Sequence, residues 1–395
     1  MKIIERDYLN ELIAVMGTPD IKVITGVRRS GKSKLLEMFK KYLINNLENI
    51  NIIEINFTLI KFDKLRNYLS LNEYIENNYV DGKRNFILID EVQMCKEFER
   101  TINSLHAEEK YDIYITGSNA FLLSSDLATL FTGRTYEIKV FPFSFKEFIE
   151  YYKIRDIQEA FDKYVLEGGM AGSYIYDDNK RKYNYINEVY NALIVRDIQQ
   201  KYNIQNIGLM DSLTEFMMDN ISNLTSYRNV SAKLNENNLN TNDKTIASYI
   251  NYLCDAFAFY KIRRFDIQGK KYLSSIDKYY LVDQTFKYAK LGTKNINYGR
   301  VYENIVAIEL LRRGYEIYVG TLHNKEVDFV AMKQNEKLYI QVSDNISDDS
   351  TLQREVEPLL QIRDAYPKII IARTRHDNYQ YEGIQIYDIA KWLAE

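Results

Sequence analysis

Residues 21–36 read Ile21-Lys-Val-Ile-Thr-Gly26-Val-Arg28-Arg29-Ser30-Gly31-Lys32-Ser33-Lys-Leu-Leu36. Of the first five residues, Ile21, Val23, Ile24 and Thr25 are β-branched, as expected of a strand. From Ser33 the pattern turns helical, with Leu35, Leu36, Phe39, Tyr42 and Leu43 on one face. Between them, Gly26 to Ser33 fits G-x-x-x-x-G-K-[ST] in its required strand–loop–helix setting. Each part has a chemical reason. Gly26 and Gly31 let the backbone curl so that the N–H groups of Arg28, Arg29, Ser30 and their neighbours face phosphate oxygens. The following helix presents its positive end to the same anion. Lys32 supplies a point charge for the β- and γ-phosphates, and the Ser33 hydroxyl is a ligand for Mg²⁺. The stretch predicts a phosphate loop for a nucleoside triphosphate, ATP with Mg²⁺.

Further strands are expected at Asn51–Phe57, Phe86–Glu91, Tyr111–Asn119 and Tyr136–Phe143, alternating with helical patterns. This is an α/β fold with a mostly parallel sheet covered on both faces. Phe86-Ile-Leu-Ile-Asp90-Glu91 is a buried strand ending in two acids. Asp90 is expected to hold Mg²⁺, and Glu91 to polarise the attacking water. Thr116-Gly-Ser-Asn119 ends the next strand; Asn119 is the favoured residue to orient that water, with Ser118 and Thr116 as alternatives.

The chain has 395 residues, 46% hydrophobic and 27% charged, enough for two to four domains at roughly 100 to 200 residues each. A net charge of -3 gives no bulk reason to bind nucleic acid, so DNA contact would need a local basic patch. Cys95 and Cys254 are too few for a disulfide framework or a zinc cluster and are expected to be reduced thiols. The N-terminal segment reads as an amphipathic helix rather than a signal peptide. No apolar run approaches the roughly 20 residues that span a bilayer. A soluble, cytoplasmic protein is expected.

Beyond the parallel sheet, residues 144–203 read as helical, interrupted at Gly168-Gly169. Residues 204–291 read as three helices followed by the β-runs AFYKIRRF and KYYLVD, the order of a winged helix. From about residue 295 a small α/β pattern follows. The expected domains are an ATPase core at 1–145, a helical lid at 146–203, a winged helix at 204–292 and a tail at 293–395. The helix Asn242–Ala256 could enter a DNA groove through Lys244, Ser248, Tyr249 and Asn251. Arg263, Arg264, Lys270 and Lys271 suit phosphate contacts, diluted by Glu236, Asp243, Asp255 and Asp266.

GVRRSGKS, LIDEVQ, ITGSNA, Leu130-Phe-Thr-Gly-Arg134 and VFPFSFKEF together resemble a family of prokaryotic AAA+ ATPases with a winged-helix region and a C-terminal domain similar to PD-(D/E)XK nucleases. The resemblance covers essentially the whole chain. It implies the AAA+ strand order and ATP hydrolysis by the LIDE acids. It makes Arg134 a candidate arginine finger, and hence implies a homo-oligomer. It makes Arg196 a candidate second nucleotide sensor, and Arg6 and Tyr8 candidates to line the adenine pocket. The family lid usually reads Gly-Gly-x-Pro; here it is Gly168-Gly169-Met170-Ala171. In the tail, Asp328 and Glu303 fit nuclease positions. Gln341 is neutral where an acid is common, however, and Ser343 stands where lysine should be. Loss of that lysine and an acid should cripple metal-assisted cleavage, so a tail that binds a partner, with DNA a candidate, or supports assembly is expected instead. The function expected is coupling of Mg-ATP hydrolysis to movement of the winged helix and tail, with DNA as a candidate target. The competing readings are an ATP-gated DNA-binding or scaffold protein with little turnover, and a metal-dependent DNA nuclease.

Overall fold

The computed structural model describes residues 4–117, 131 and 133–395. The chain divides into two compact units, residues 1–141 with 195–201, and residues 142–194 with 202–395.

The first unit begins with helix α1 (Asp7–Ala14) and continues as β1 (Ile21–Thr25), α2 (Lys32–Asn46), β2 (Ile50–Asn56), α3 (Tyr68–Asn77), β3 (Arg84–Asp90), α4 (Phe98–Ala107), β4 (Tyr111–Thr116) and β5 (Thr135–Lys139). The five strands form one parallel sheet in the order β2-β3-β4-β1-β5. All five residues of β1 are buried, and Asn85–Asp90 of β3 are buried too. This continuous burial is why these strands are rich in apolar residues, with the buried Lys22 of β1 paired to Asp112 at 2.7 Å. Helix α2 packs on β2 and β3, α4 on β4 and α1 on β5. Val23, Ile55, Ile87, Ile89 and Ile115 share a core with Phe57, Leu71, Phe98 and Ile102. Because β4 separates β1 from β3, the carboxyl ends of three strands open side by side. In open α/β sheets, ligand sites form beyond those ends.

The second unit opens with α5 (Phe145–Tyr152), α6 (Ile157–Glu167) and α7 (Asn179–Ala192). Ser144 and Glu147 form a reciprocal capping box at the start of α5. The chain then runs through a π-helical segment, Leu193–Gln199, in which Val195–Gln199 cluster with the first unit. Next come α8 (Ile207–Asp219), β6 (Leu224–Thr225), α9 (Tyr227–Glu236), α10 (Asp243–Asp255), β7 (Phe259–Asp266), β8 (Lys271–Leu281), α11 (Thr285–Leu291) and α12 (Tyr298–Arg312). The remainder is β9 (Glu316–Leu322), β10 (Lys325–Lys333), β11 (Glu336–Ser343), α13 (Asp349–Leu360), β12 (Lys368–Ala372), β13 (Tyr379–Tyr381), β14 (Ile384–Asp388) and α14 (Ile389–Ala394).

Nine strands of this unit join in one sheet, ordered β13-β14-β12-β11-β10-β9-β7-β8-β6. The β7–β8 hairpin therefore does not stand apart from the tail. Its outer strand pairs in parallel with β9, with Arg264 opposite Val319 and Phe265 opposite Gly320. Such pairing satisfies the N–H and C=O row that an edge strand would otherwise expose. At Gly320 a Cβ would stand 2.9 Å from Ile267 and Val327 side-chain atoms, so glycine allows the close approach. Among the described residues, no helix is long and apolar enough to cross a membrane.

Candidate functional site

The phosphate loop closes the carboxyl end of β1. Gly26 has φ 138°, and a Cβ there would stand 2.1 Å from the Val140 carbonyl oxygen, so no larger residue fits. Arg29 (φ 66°) and Gly31 (φ 103°) are also left-handed. Alternating right- and left-handed residues aim successive backbone N–H groups into one concavity, the geometry that holds anions. For Arg29 the conformation costs on the order of 1 kcal/mol.

Lys32 is buried, and its ammonium donates to the Gly26 (2.7 Å) and Val27 (3.1 Å) carbonyls. Burial pushes its pKa down, opposed by the charges of Glu91, Asp197 and Asp90. The Ser30 hydroxyl is buried in the loop with no hydrogen-bond partner among the described residues. A desolvated cation and an unsatisfied buried hydroxyl are what an anionic ligand would compensate.

At the end of β3, the Asp90 carboxylate gathers three donors. Ser33 donates at 3.1 Å and Thr116 donates to the same oxygen, while Asn56 donates at 3.1 Å to the other. Burial raises the Asp90 pKa, and the Thr116 and Ser33 hydrogen bonds pull it back. A hydroxyl and a carboxylate in contact form an oxygen donor set suited to a hard divalent cation. Glu91 is left-handed (φ 58°); its N–H donates to Thr116 Oγ1 at 3.3 Å, and its carboxylate accepts from Gln93 Nε2 at 2.5 Å. Thr116 thus bridges the two acids through one hydroxyl. The register places it there, since Ile24 of β1 pairs with Thr116, and Ile89 of β3 with Ile115.

The other sequence candidates divide. Arg28 reaches Asp197 of the π-helical segment at 3.4 Å. Buried Arg6 donates to the Ser30 carbonyl (2.7 Å) and the Phe141 carbonyl (2.8 Å), with its guanidinium 4.8 Å from the Tyr8 ring. The Tyr8 hydroxyl accepts from the Phe141 N–H at 3.2 Å. Arg6 thus ties the loop at Ser30 to Phe141, which Tyr8 also contacts. Arg134 is exposed at the start of β5, where its carbonyl accepts from the Ile21 N–H (2.9 Å). That is the amino end of the sheet, the length of β1 away from the loop, roughly 16 Å for five residues. The structure does not bring Arg134 to its own chain's phosphate loop. Asn119 and the Arg196 side chain lie outside the described residues.

Sequence reasoning missed Asn56, Gln93 and Asp197. Asn56 ends a strand one residue before Phe57, and that position beside Asp90 was the available signal.

In the tail, Glu303 (α12), Asp328 (β10) and Gln341 (β11) lie close together, but their polar groups are engaged with the protein. Gln341 Oε1 accepts from the Asp328 N–H (2.7 Å), and its amide donates to Glu355 (3.0 Å). Asp328 Oδ2 accepts from the Val342 N–H (2.8 Å), while Ser343 donates to the Asn345 carbonyl (3.0 Å). Burial raises the Asp328 pKa well above the usual carboxylate range, with the nearby Glu303 charge adding to it. Among the described residues, no group of three or more His, Cys, Asp or Glu side chains is arranged to hold a metal ion.

Comparison with known proteins gives family matches in two stretches. Residues 18–149 match the AAA domain model, and residues 158–297 match a domain of unknown function, DUF8612. An uncharacterized protein of Haemophilus influenzae is 35% identical over 395 residues, covering 98% of both chains. The uncharacterized protein MJ1544 of Methanocaldococcus jannaschii is 27% identical over 372 residues, 90% of this chain and 80% of that one. Among solved structures, AMPPCP-bound DnaA from Aquifex aeolicus aligns with a TM-score of 0.32 at 15% identity, over 63% of this chain and 86% of that chain. Likeness at that level decides nothing further. The chain belongs to one family with the Haemophilus influenzae protein, and its residues 18–149 match the AAA domain.

Proposed function

We propose that the chain hydrolyses ATP to ADP and phosphate and uses the cycle to move its C-terminal half. The observation that supports this is one hydrogen-bonded group at the carboxyl ends of β3 and β4, in which Asp90 accepts from Ser33 and Thr116 and the Glu91 N–H donates to Thr116, with the buried Lys32 ammonium in the field of both acids. In this reading Lys32 turns from the Gly26 and Val27 carbonyls toward the β- and γ-phosphates. Ser33 and Asp90 would hold Mg²⁺, which supplies positive charge against the phosphates. Glu91, held by Gln93, orients water and takes its proton as the oxygen attacks the γ-phosphorus and the bond to ADP breaks. Arg6 and Tyr8 border the base, Asn119 orients the attacking water, and Arg196 acts as the second nucleotide sensor. Arg134 serves as a finger for a neighbouring copy, because it stands too far from its own loop. A homo-oligomer follows from that role.

Residues 146–203 then form the lid, 204–292 a winged helix and 293–395 a nuclease-like tail without nuclease activity. The chain runs from α7 through Leu193 and Ile194 into residues 195–201, whose Asp197 ion-pairs with Arg28 of the phosphate loop. DNA is the proposed target of the winged helix. Lys244, Ser248 and Asn251 of α10 are exposed, as are Arg263, Lys270 and Lys271 at the hairpin.

The test is ATP turnover with and without duplex and single-stranded DNA, using Lys32→Ala as the blank. Glu91→Gln should bind Mg-ATP and fail to turn it over. Equal turnover by wild type and Glu91→Gln would remove the role given to Glu91. Mixing Arg134→Ala with Glu91→Gln tests the finger: if activity is the same mixed and unmixed, the trans role is wrong.

A further inference from the structure

The tail holds a charge cluster, buried at Glu303 and Asp328 and open to solvent at Glu326, whose cation comes from outside the tail. Lys278 of β8 is 4% exposed at its side chain, yet it carries an ammonium. That nitrogen lies 2.6 Å from Glu326, 2.8 Å from Glu303 and 3.8 Å from Asp328. Three carboxylates from α12 and β10 therefore surround one point, and an amine from the hairpin sits at it. Tyr280 of the same strand donates to the same Glu303 oxygen at 2.6 Å.

Backbone irregularities contribute to this arrangement. The β9–β10 pairing shifts register between Val327 and Val330, so an extra residue of β10 is accommodated in the interval that holds Asp328. A bulge of this kind re-aims a side chain. The β7–β8 pairing shifts as well, between Ile262, which pairs with Lys278, and Arg264. Taking an ammonium out of water costs several kcal/mol unless carboxylates surround it. Three carboxylates without a cation would repel one another at comparable cost.

We propose that Lys278 is a built-in cation that fills the carboxylate pocket of the tail, so that the intact chain excludes divalent metal there and becomes a metal site when the ammonium is removed. The pocket then fastens the hairpin to the tail with a lysine, where a metal would hold the carboxylates alone. The inference is independent of any role for ATP.

The test uses the full chain without nucleotide and Mn²⁺ as the probe, read by electron paramagnetic resonance of free Mn²⁺ and by thermal unfolding. Wild type should show no Mn²⁺ binding that Asp328→Asn removes. Lys278→Met, close in shape but neutral, should melt lower than wild type without metal. It should also bind Mn²⁺ about tenfold or more tightly than wild type and regain part of the lost melting temperature with it. Lys278→Met/Asp328→Asn should lose that gain. A folded Lys278→Met chain with no Mn²⁺ response overturns the proposal. So does Asp328-dependent Mn²⁺ binding by wild type, which would put the lysine beside a metal rather than in its place. If Lys278→Met does not fold, Lys278→Gln, neutral and able to donate to Glu303, is read in the same way: a folded variant without an Asp328-dependent Mn²⁺ response overturns the proposal, and a gain of binding supports it.

Discussion

Arg28 of the phosphate loop lies 3.4 Å from Asp197, a residue 169 positions further along the chain. Asp197 is buried, and its charge also acts on Lys32. A carboxylate thus shares the field that an ATP phosphate would use. Asp197→Asn should bind Mg-ATP more tightly, by about two- to fivefold. The gain is small because Arg28 is a quarter exposed and solvent screens the pair. Calorimetry with a non-hydrolysable ATP analogue checks this; weaker binding by the variant would show that Asp197 assists the nucleotide instead.

Thr116 donates to Asp90 and accepts from the Glu91 N–H. Thr116→Val keeps the shape and removes both bonds. Leaving such partners unpaired costs roughly 1–3 kcal/mol. Denaturant unfolding should register that loss, and ATP turnover should fall by about tenfold with a higher Mg²⁺ requirement. Unchanged turnover across a Mg²⁺ titration would remove Thr116 from the site.

At Gly169 an added Cβ would stand 2.2 Å from the Phe143 carbonyl oxygen and 2.8 Å from its nitrogen, both backbone atoms. At Gly172 it would meet only the Tyr185 ring and hydroxyl, which can swing aside. Gly169→Ala should therefore destabilise the chain by about 2–4 kcal/mol, and Gly172→Ala by clearly less. Parallel melting curves compare the two. An equal loss would mean that Tyr185 is as immovable as backbone.

Burial pushes the Cys95 thiol up to about 12. The thiolate is the reactive form, so alkylation at pH 8 should run roughly a thousandfold slower than for a free cysteine. Mass spectrometry of iodoacetamide-treated protein, native and denatured, measures the ratio. Rapid native labelling would show that Cys95 is not held in the core.

Much of the first unit was legible because its signals are local. β1, the glycine loop and the first turns of α2 are contiguous, and β3 announces itself by four apolar residues before Asp90. The β13–β14 hairpin was not legible. β13 has three residues, half-exposed or exposed, and its turn uses Glu382 (φ 48°) beside Gly383 (φ 82°) rather than a plain Asn-Gly signal. The sheet continues through the boundary drawn near residue 292, because β7 and β9 pair across it. Pairing between strands more than fifty residues apart leaves no local trace.

The phosphate loop was determined by the sequence itself, since the glycines, the lysine and the serine act on one another within eight residues and need only a strand before and a helix after. Which residues meet that loop was decided by tertiary structure. Strand order brings Asp90 to Ser33 and puts Thr116 between the two acids, keeps Arg134 at the far end of β1, and slides Lys278 among Glu303, Glu326 and Asp328. Charge and hydrogen-bond complementarity act through space over a few ångströms, and only the folded sheets set which distant residues come that close.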